Sequence, residues 1–102
     1  MSPSREHPRH RLSEGLGNPI RLSLVATLAS AKEVDFATLR DTLEVSDSML
    51  SRQTNKLEAA GLLKVRKGFV GKRPRTWLSL TSAGRKTWAS HVSALQEILG
   101  KD

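Results

Sequence analysis

The sequence predicts a mainly α domain that carries one small β-hairpin, and three observations predict it. Four segments open on residues that cap helices, at Asn18-Pro19, Asp35, Ser46 and Thr81. Two short runs, over residues 62–67 and 76–80, alternate apolar and polar positions around a stretch of Gly, Pro and basic residues. Only four side chains are aromatic, Phe36, Phe69, Trp77 and Trp88, so the core must come mostly from Leu, Val, Ile and Ala. That suits helices on a small sheet better than two stacked sheets. The length, 102 residues, allows one modest core.

Taken in order, residues 1–11 are rich in Pro, Arg and His without periodicity, and are expected to form a basic arm lacking regular structure. The folded domain is then residues 12–102. Asn18 caps, and Pro19 starts, a helix expected to run to about Ala31. Its Ile20, Leu22, Leu24, Val25, Leu28 and Ala29 cover an arc of roughly 200°, wider than one buried stripe. Val34 and Asp35 are extended, and Asp35 caps a second helix through Leu43. A tight turn at Glu44-Val45 leads to a third helix, over 46–60, stopped by Gly61. Leu50, Thr54, Leu57 and Ala60 should face the core. The two strands enclose an expected long hairpin loop over 68–75. Thr81 caps the last helix, through Leu99, and Gly84 should weaken its start slightly. Two helices, a turn and a hairpin in this order make a winged helix-turn-helix.

The net charge of +7 is concentrated. Residues 62–76 hold Lys64, Arg66, Lys67, Lys72, Arg73 and Arg75 and no acid, which is the footprint of a polyanionic partner. On the third helix, Ser46, Asp47, Ser48, Ser51, Arg52, Asn55 and Lys56 form the candidate DNA-facing set. Small polar side chains and one Arg fit a major groove, where Arg bonds guanine at two atoms. Lys72, Arg73 and Arg75, near the tip of the wing over 67–76, suit the phosphate backbone or a narrow minor groove. The expected partner is double-stranded DNA.

Other chemistries find little support. Without cysteine there are no disulfides or thiolate metal sites, and the chain fits a reducing cytoplasm. No apolar run approaches the roughly 20 residues of a membrane span. His7, His10 and His91 are scattered, so no metal, cofactor or catalytic site is expected. Trp77 and Trp88 are assigned to packing, which leaves a small-molecule effector without a predicted site. A protein-interaction module and an RNA-binding winged helix remain as alternatives. The third helix offers no large apolar anchor for the first and no aromatic stacking platform for the second.

The last helix carries Trp88, Val92, Leu95, Ile98 and Leu99 within about 120°, one buried stripe. With Leu22 and Val25 of the first helix, these residues are the expected homodimer interface.

The run from Ser46 to Leu63, with its Leu57-Glu58-Ala59-Ala60-Gly61-Leu62 ending, resembles the recognition helix of MarR-like and ArsR-like bacterial regulators. Leu80-Thr81-Ser82-Ala83-Gly84-Arg85 is similar to their exit from the wing, and Asn18-Pro19-Ile20-Arg21-Leu22 to their first helix. Asp35-Phe36-x-x-Leu39 and the wing from Gly68 to Thr76 resemble a compact winged-helix group most closely. The resemblance covers about residues 15–99. It implies dimeric, cytoplasmic transcription regulators, with Ser48, Ser51, Arg52 and Asn55 as groove contacts and Arg73 as a wing contact. The chain is shorter than full-length MarR proteins and lacks the cysteines of metal-sensing ArsR proteins, so ligand and metal sensing are not carried over.

Overall fold

Each expected cap closes a helix in the computed structural model, which describes residues 6–100. Asn18 Oδ1 accepts the N–H groups of Ile20 and Arg21 at 2.9 and 3.1 Å and opens α1 (Pro19–Ala29). The Asp35 carboxylate accepts the Thr38 N–H at 3.2 Å and opens α2 (Phe36–Leu43). Ser46 Oγ accepts from Met49 at 3.1 Å ahead of α3 (Asp47–Ala59), and Thr81 Oγ1 from Gly84 at 3.0 Å ahead of α4 (Ser82–Ile98). Each bond satisfies an N–H that the helix itself leaves orphaned. Glu44 takes the left-handed conformation, φ 56°, in the turn between α2 and α3.

Three antiparallel strands, β1 (Val34–Asp35), β2 (Leu63–Val70) and β3 (Arg73–Leu80), stand in the order β1-β3-β2. The expected long loop over 68–75 is not there. Val70 pairs with Arg73, and only Gly71 and Lys72 turn the chain. Gly71 has φ +61°, the left-handed value that the first central position of a tight type II′ turn requires. The two residues that suggested a loop have other duties. A Cβ on Gly68 would stand 3.1 Å from the Trp77 ring, so this glycine lets the indole lie against the strand. Pro74 pairs with Phe69, one step from the hydrogen-bonded pair beside the turn. Its missing N–H therefore faces the other edge of β3, where β1 reaches only Trp77 and Leu78.

The core joins α1, α2 and α3 to one face of the sheet through Leu16, Leu24, Val25, Leu28, Leu39, Leu50, Leu57, Leu63, Leu78 and Leu80. Two expectations change here. Val25 is only 2 % exposed, sealed in its own domain, and so has no surface to offer a partner subunit. Ala60 is exposed because α3 is already ending there, and Gln53, about two turns further back, takes an inward place. Gln53 is buried without an orphaned amide oxygen because Arg21 Nη1 donates to its Oε1 at 2.8 Å. Arg21 Nε also donates to the Gly15 carbonyl at 2.6 Å, so one guanidinium ties α1 to α3 and to the chain before it.

That preceding chain is ordered against the domain. Of the arm expected over 1–11, residues 1–5 lie outside the described residues. Pro8–Arg11 forms a short 3-10 turn against α4, and Glu14–Leu16 a second. Arg11 pairs with Glu97, and the Ser13 N–H donates to His91 Nδ1 at 3.0 Å. The surface of α4 supplies partners that local composition does not reveal. His91 accepts that bond as a neutral imidazole, and burial lowers its pKa in the same direction.

The exit from the hairpin is structural at Leu80, Thr81, Gly84 and Arg85. Leu80 is in the core. Thr81 donates its hydroxyl to the Gly61 carbonyl at 2.7 Å while capping α4. A Cβ on Gly84 would fall 2.1 Å from the Leu62 carbonyl oxygen, so the first turn of α4 packs directly on backbone. Arg85 donates to the carbonyls of Ala29 and Ala31 at 3.3 and 3.0 Å, closing the end of α1.

Candidate nucleic-acid interface

The core turns Leu50, Gln53, Thr54 and Leu57 of α3 inward, which leaves the opposite side of the helix to solvent. Ser46, Asp47, Ser48, Ser51, Arg52, Asn55 and Lys56 are all exposed there. They differ in what else they do. Ser46 Oγ is committed to its cap and lies 3.3 Å from Ser48 Oγ. Asp47 accepts from Arg40 Nη1 at 2.9 Å, and Arg40 Nε also reaches Asp41 at 2.9 Å. Both carboxylates hold the Arg40 guanidinium still more firmly protonated than usual. Arg40 therefore fixes the start of α3 to the end of α2, and it offsets an acid that would repel phosphate. Sequence reasoning passed over it because Arg40 lies outside the basic cluster. Arg52 and Lys56 make no ion pair among the described residues.

The hairpin divides its charges by face. Alternation puts Leu63, Val65, Lys67 and Phe69 with Leu80, Leu78, Thr76 and Pro74 on the side toward α3. Lys67 and Thr76 line a groove there with Ser51, Thr54, Asn55 and Glu58 of α3. The opposite face carries Arg66, Arg73 and Arg75 with Trp77. Near the root, Arg66 stacks on Trp77 with its guanidinium carbon 4.0 Å from the ring centroid. It also donates to Glu33 through Nε at 3.0 Å and Nη2 at 2.8 Å. These bonds lower the Glu33 pKa and raise that of Arg66. Arg66 is thus committed within the protein, although it counts toward the basic stretch over 62–76 in the sequence.

At the tip the chemistry differs. Lys72, Arg73 and Arg75 are exposed and make no ion pair among the described residues. Phe69 and Val70 beside them are 69 % and 48 % exposed. Reading 68–75 as a loop hid both, since only strand alternation shows where they point.

Of the expected dimer residues, Leu22, Trp88, Val92 and Leu95 are half-buried, while Ile98 and Leu99 are exposed at the end of α4. The inward side of α4 is Gly84, His91 and Ala94. Among the described residues no group of His, Cys, Asp and Glu is placed to hold a metal, and no helix is long and apolar enough to cross a membrane.

Known proteins share this arrangement. A family model described as a winged helix DNA-binding domain matches residues 20–99. A transcriptional regulator homologue from Pyrococcus horikoshii superposes with a TM-score of 0.80 at 28 % identity, over 86 % of this chain and 87 % of that one. A MarR family transcriptional regulator from Silicibacter pomeroyi gives 0.69 at 25 % identity, over 85 % of this chain and 57 % of its own. The uncharacterized protein MJ0432 of Methanocaldococcus jannaschii is 23 % identical over 79 residues, which is 78 % of this chain and 86 % of that protein. The family is one of non-enzymatic DNA-binding proteins, and the two solved structures named above are described as a transcriptional regulator homologue and a MarR family transcriptional regulator. With its capped α2–α3 pair and antiparallel hairpin, the chain belongs to the winged helix DNA-binding domain family.

Proposed function

We propose that the protein is a sequence-specific regulator of transcription that binds duplex DNA as a cytoplasmic homodimer. The observation that carries this reading is the pairing of two surfaces. The exposed polar side of α3, with Ser48, Ser51, Arg52, Asn55 and Lys56, is combined with a hairpin tip whose Lys72, Arg73 and Arg75 make no ion pair among the described residues. The helix enters the major groove and the tip holds the backbone next to it. Neutralising phosphates releases counterions, so the affinity for duplex DNA should fall with salt at a log-log slope of about −0.9 per phosphate contacted. Titration of a random-sequence duplex pool across salt concentrations tests this. An affinity indifferent to salt overturns it.

The dimer is supported by the apolar end of α4, where Val92, Leu95, Ile98 and Leu99 leave apolar surface uncovered, flanked by Trp88 and Leu22. A two-fold pair would set two copies of α3 about one DNA turn, roughly 34–36 Å, apart, and calls for an inverted-repeat site. Leu99 is 69 % exposed and does little for its own domain. Leu99→Glu should therefore dissociate the dimer without unfolding it, as sedimentation and circular dichroism together would show. A wild type that stays monomeric both free and on DNA removes the dimer from the model.

A further inference from the structure

The tip of the hairpin combines two properties that a simple phosphate clamp does not need together. It is strongly cationic, and it displays Phe69 and Val70, two of the four exposed large apolar side chains among the described residues. The other two, Ile98 and Leu99, lie far along the chain at the end of α4. Neither tip side chain belongs to the core cluster or packs against it. Register places Phe69 opposite Pro74, and both follow Lys67 and Thr76 on the sheet face that looks toward α3. At about 3.4 Å per residue, Phe69 projects roughly 7 Å beyond Lys67, away from the core. The two-residue turn at Gly71 and Lys72 keeps the tip narrow.

A partner for this tip must offer anionic groups at its edges and apolar surface between them. The minor groove of duplex DNA does so. Phosphates line its rims, deoxyribose rings form its walls, and side chains such as Phe and Pro are known wedges between its base steps. The stretch from 62 to 76 contains six basic residues and no acid, which favours a polyanion over an uncharged protein surface. We propose that Phe69, supported by Pro74 on the same face of the hairpin, is an apolar minor-groove contact. Its ring packs against sugar walls and base edges beside the segment bound by α3, while Lys72 and Arg73 hold the flanking phosphates. This rests on the DNA-binding reading above and adds to it a salt-independent component of affinity.

The two are separated by one set of titrations on a short duplex that the wild-type protein selects from a random-sequence pool. Wild-type binding and its salt slope test the DNA-binding reading, and failure to bind any duplex ends both. Given wild-type binding, Phe69→Ala removes apolar surface and no charge. It should weaken affinity about tenfold at every salt concentration, giving a line parallel to the wild type. Phe69→Leu should recover most of the loss. Replacing guanine by inosine near the contact deletes an amino group from the minor groove and leaves the major-groove edge unchanged. Wild-type affinity should respond to it more than that of Phe69→Ala. An unchanged affinity for Phe69→Ala overturns the proposal. So does a flatter salt slope, which would make the residue only a support for its charged neighbours. A change in sedimentation without a change in DNA affinity also overturns it, by assigning the tip to a protein contact. The unfolding midpoint should match that of the wild type, since Phe69 lies outside the core.

Discussion

At its root the hairpin carries Arg66, stacked on Trp77 and doubly bonded to Glu33. At its tip, on the same face, it carries Arg73 and Arg75, which have no ion-pair partner among the described residues. The apolar residues divide in the same way. Leu78 and Leu63 at the root are sealed in the core, whereas Phe69 and Val70 at the tip face solvent. Charge and hydrophobicity along the strands do not distinguish the two ends. Their surroundings do, because the root packs against α3, β1 and α4, while at the tip Arg73, Pro74 and Arg75 line an open cleft with Asp35 and the start of α2. A basic segment thus overstates the number of cations available to DNA, and the side chains committed inside the protein have to be removed from that number.

The largest expected effect breaks the root and spares the tip. Leu78 is fully buried, so Leu78→Ala should cost about 2–5 kcal/mol through lost contacts and a residual cavity. Arg73→Ala, on an exposed side chain without a partner, should stay within about 0.5 kcal/mol. Urea denaturation of both variants measures the difference. Comparable losses would mean that the tip contributes to the fold as the root does.

DNA binding should invert that order. Arg52→Ala on α3 should cost about 1–3 kcal/mol on the preferred site and relax preference at the contacted base pair. Arg73→Ala should weaken different sequences more evenly and reduce the salt slope by about one contact. Arg66→Ala should leave the slope as it was, since that guanidinium is already neutralised by Glu33. A site library titrated with the three variants tests the assignment. Equal patterns for Arg52→Ala and Arg73→Ala, or a slope change for Arg66→Ala equal to that for Arg73→Ala, would refute it.

Much of this architecture was legible because it is local. Asn18, Asp35, Ser46 and Thr81 cap through bonds to residues two or three positions on, so the sequence alone places them. The polar side of α3 followed from helical periodicity. What escaped depends on contacts made across the chain. Gly68 and Pro74 imitate a loop, and only Trp77 above the one and the open strand edge beside the other explain them. Arg66 counts toward the basic stretch in the sequence, and only the fold shows its partner Glu33, 33 positions away. Val25 suggests an interface residue because the wide apolar arc of α1 hides how many elements converge on it. Gly84 suggested a slightly weakened helix, yet its hydrogen is the only substituent that fits against Leu62.

The smallest expected effect tests whether Glu33 is what separates the root from the tip. Arg66 bonds the carboxylate and lowers its pKa below the ordinary 4.5. A carboxyl depressed in the folded state contributes stability above its unfolded value and loses that contribution as pH falls through the folded one. Acid should therefore loosen Arg66 from Glu33 below about pH 4.5. Both side chains are solvent-accessible, so screening keeps the stability change small, and a local probe is the better readout. The Trp77 indole N–H resonance is such a probe, because the guanidinium lies on that ring. In the wild type it should shift through an acid transition. Glu33→Gln, which cannot titrate, should hold one position across the same range. Asp35 is the competing source, since it pairs with Trp77 across the strands and its own carboxyl is lowered by the Thr38 hydroxyl. A transition that persists in Glu33→Gln and disappears in Asp35→Asn would move the titrating group to Asp35. Arg66 would then be held mainly by the indole, and the root would differ from the tip through stacking rather than charge pairing.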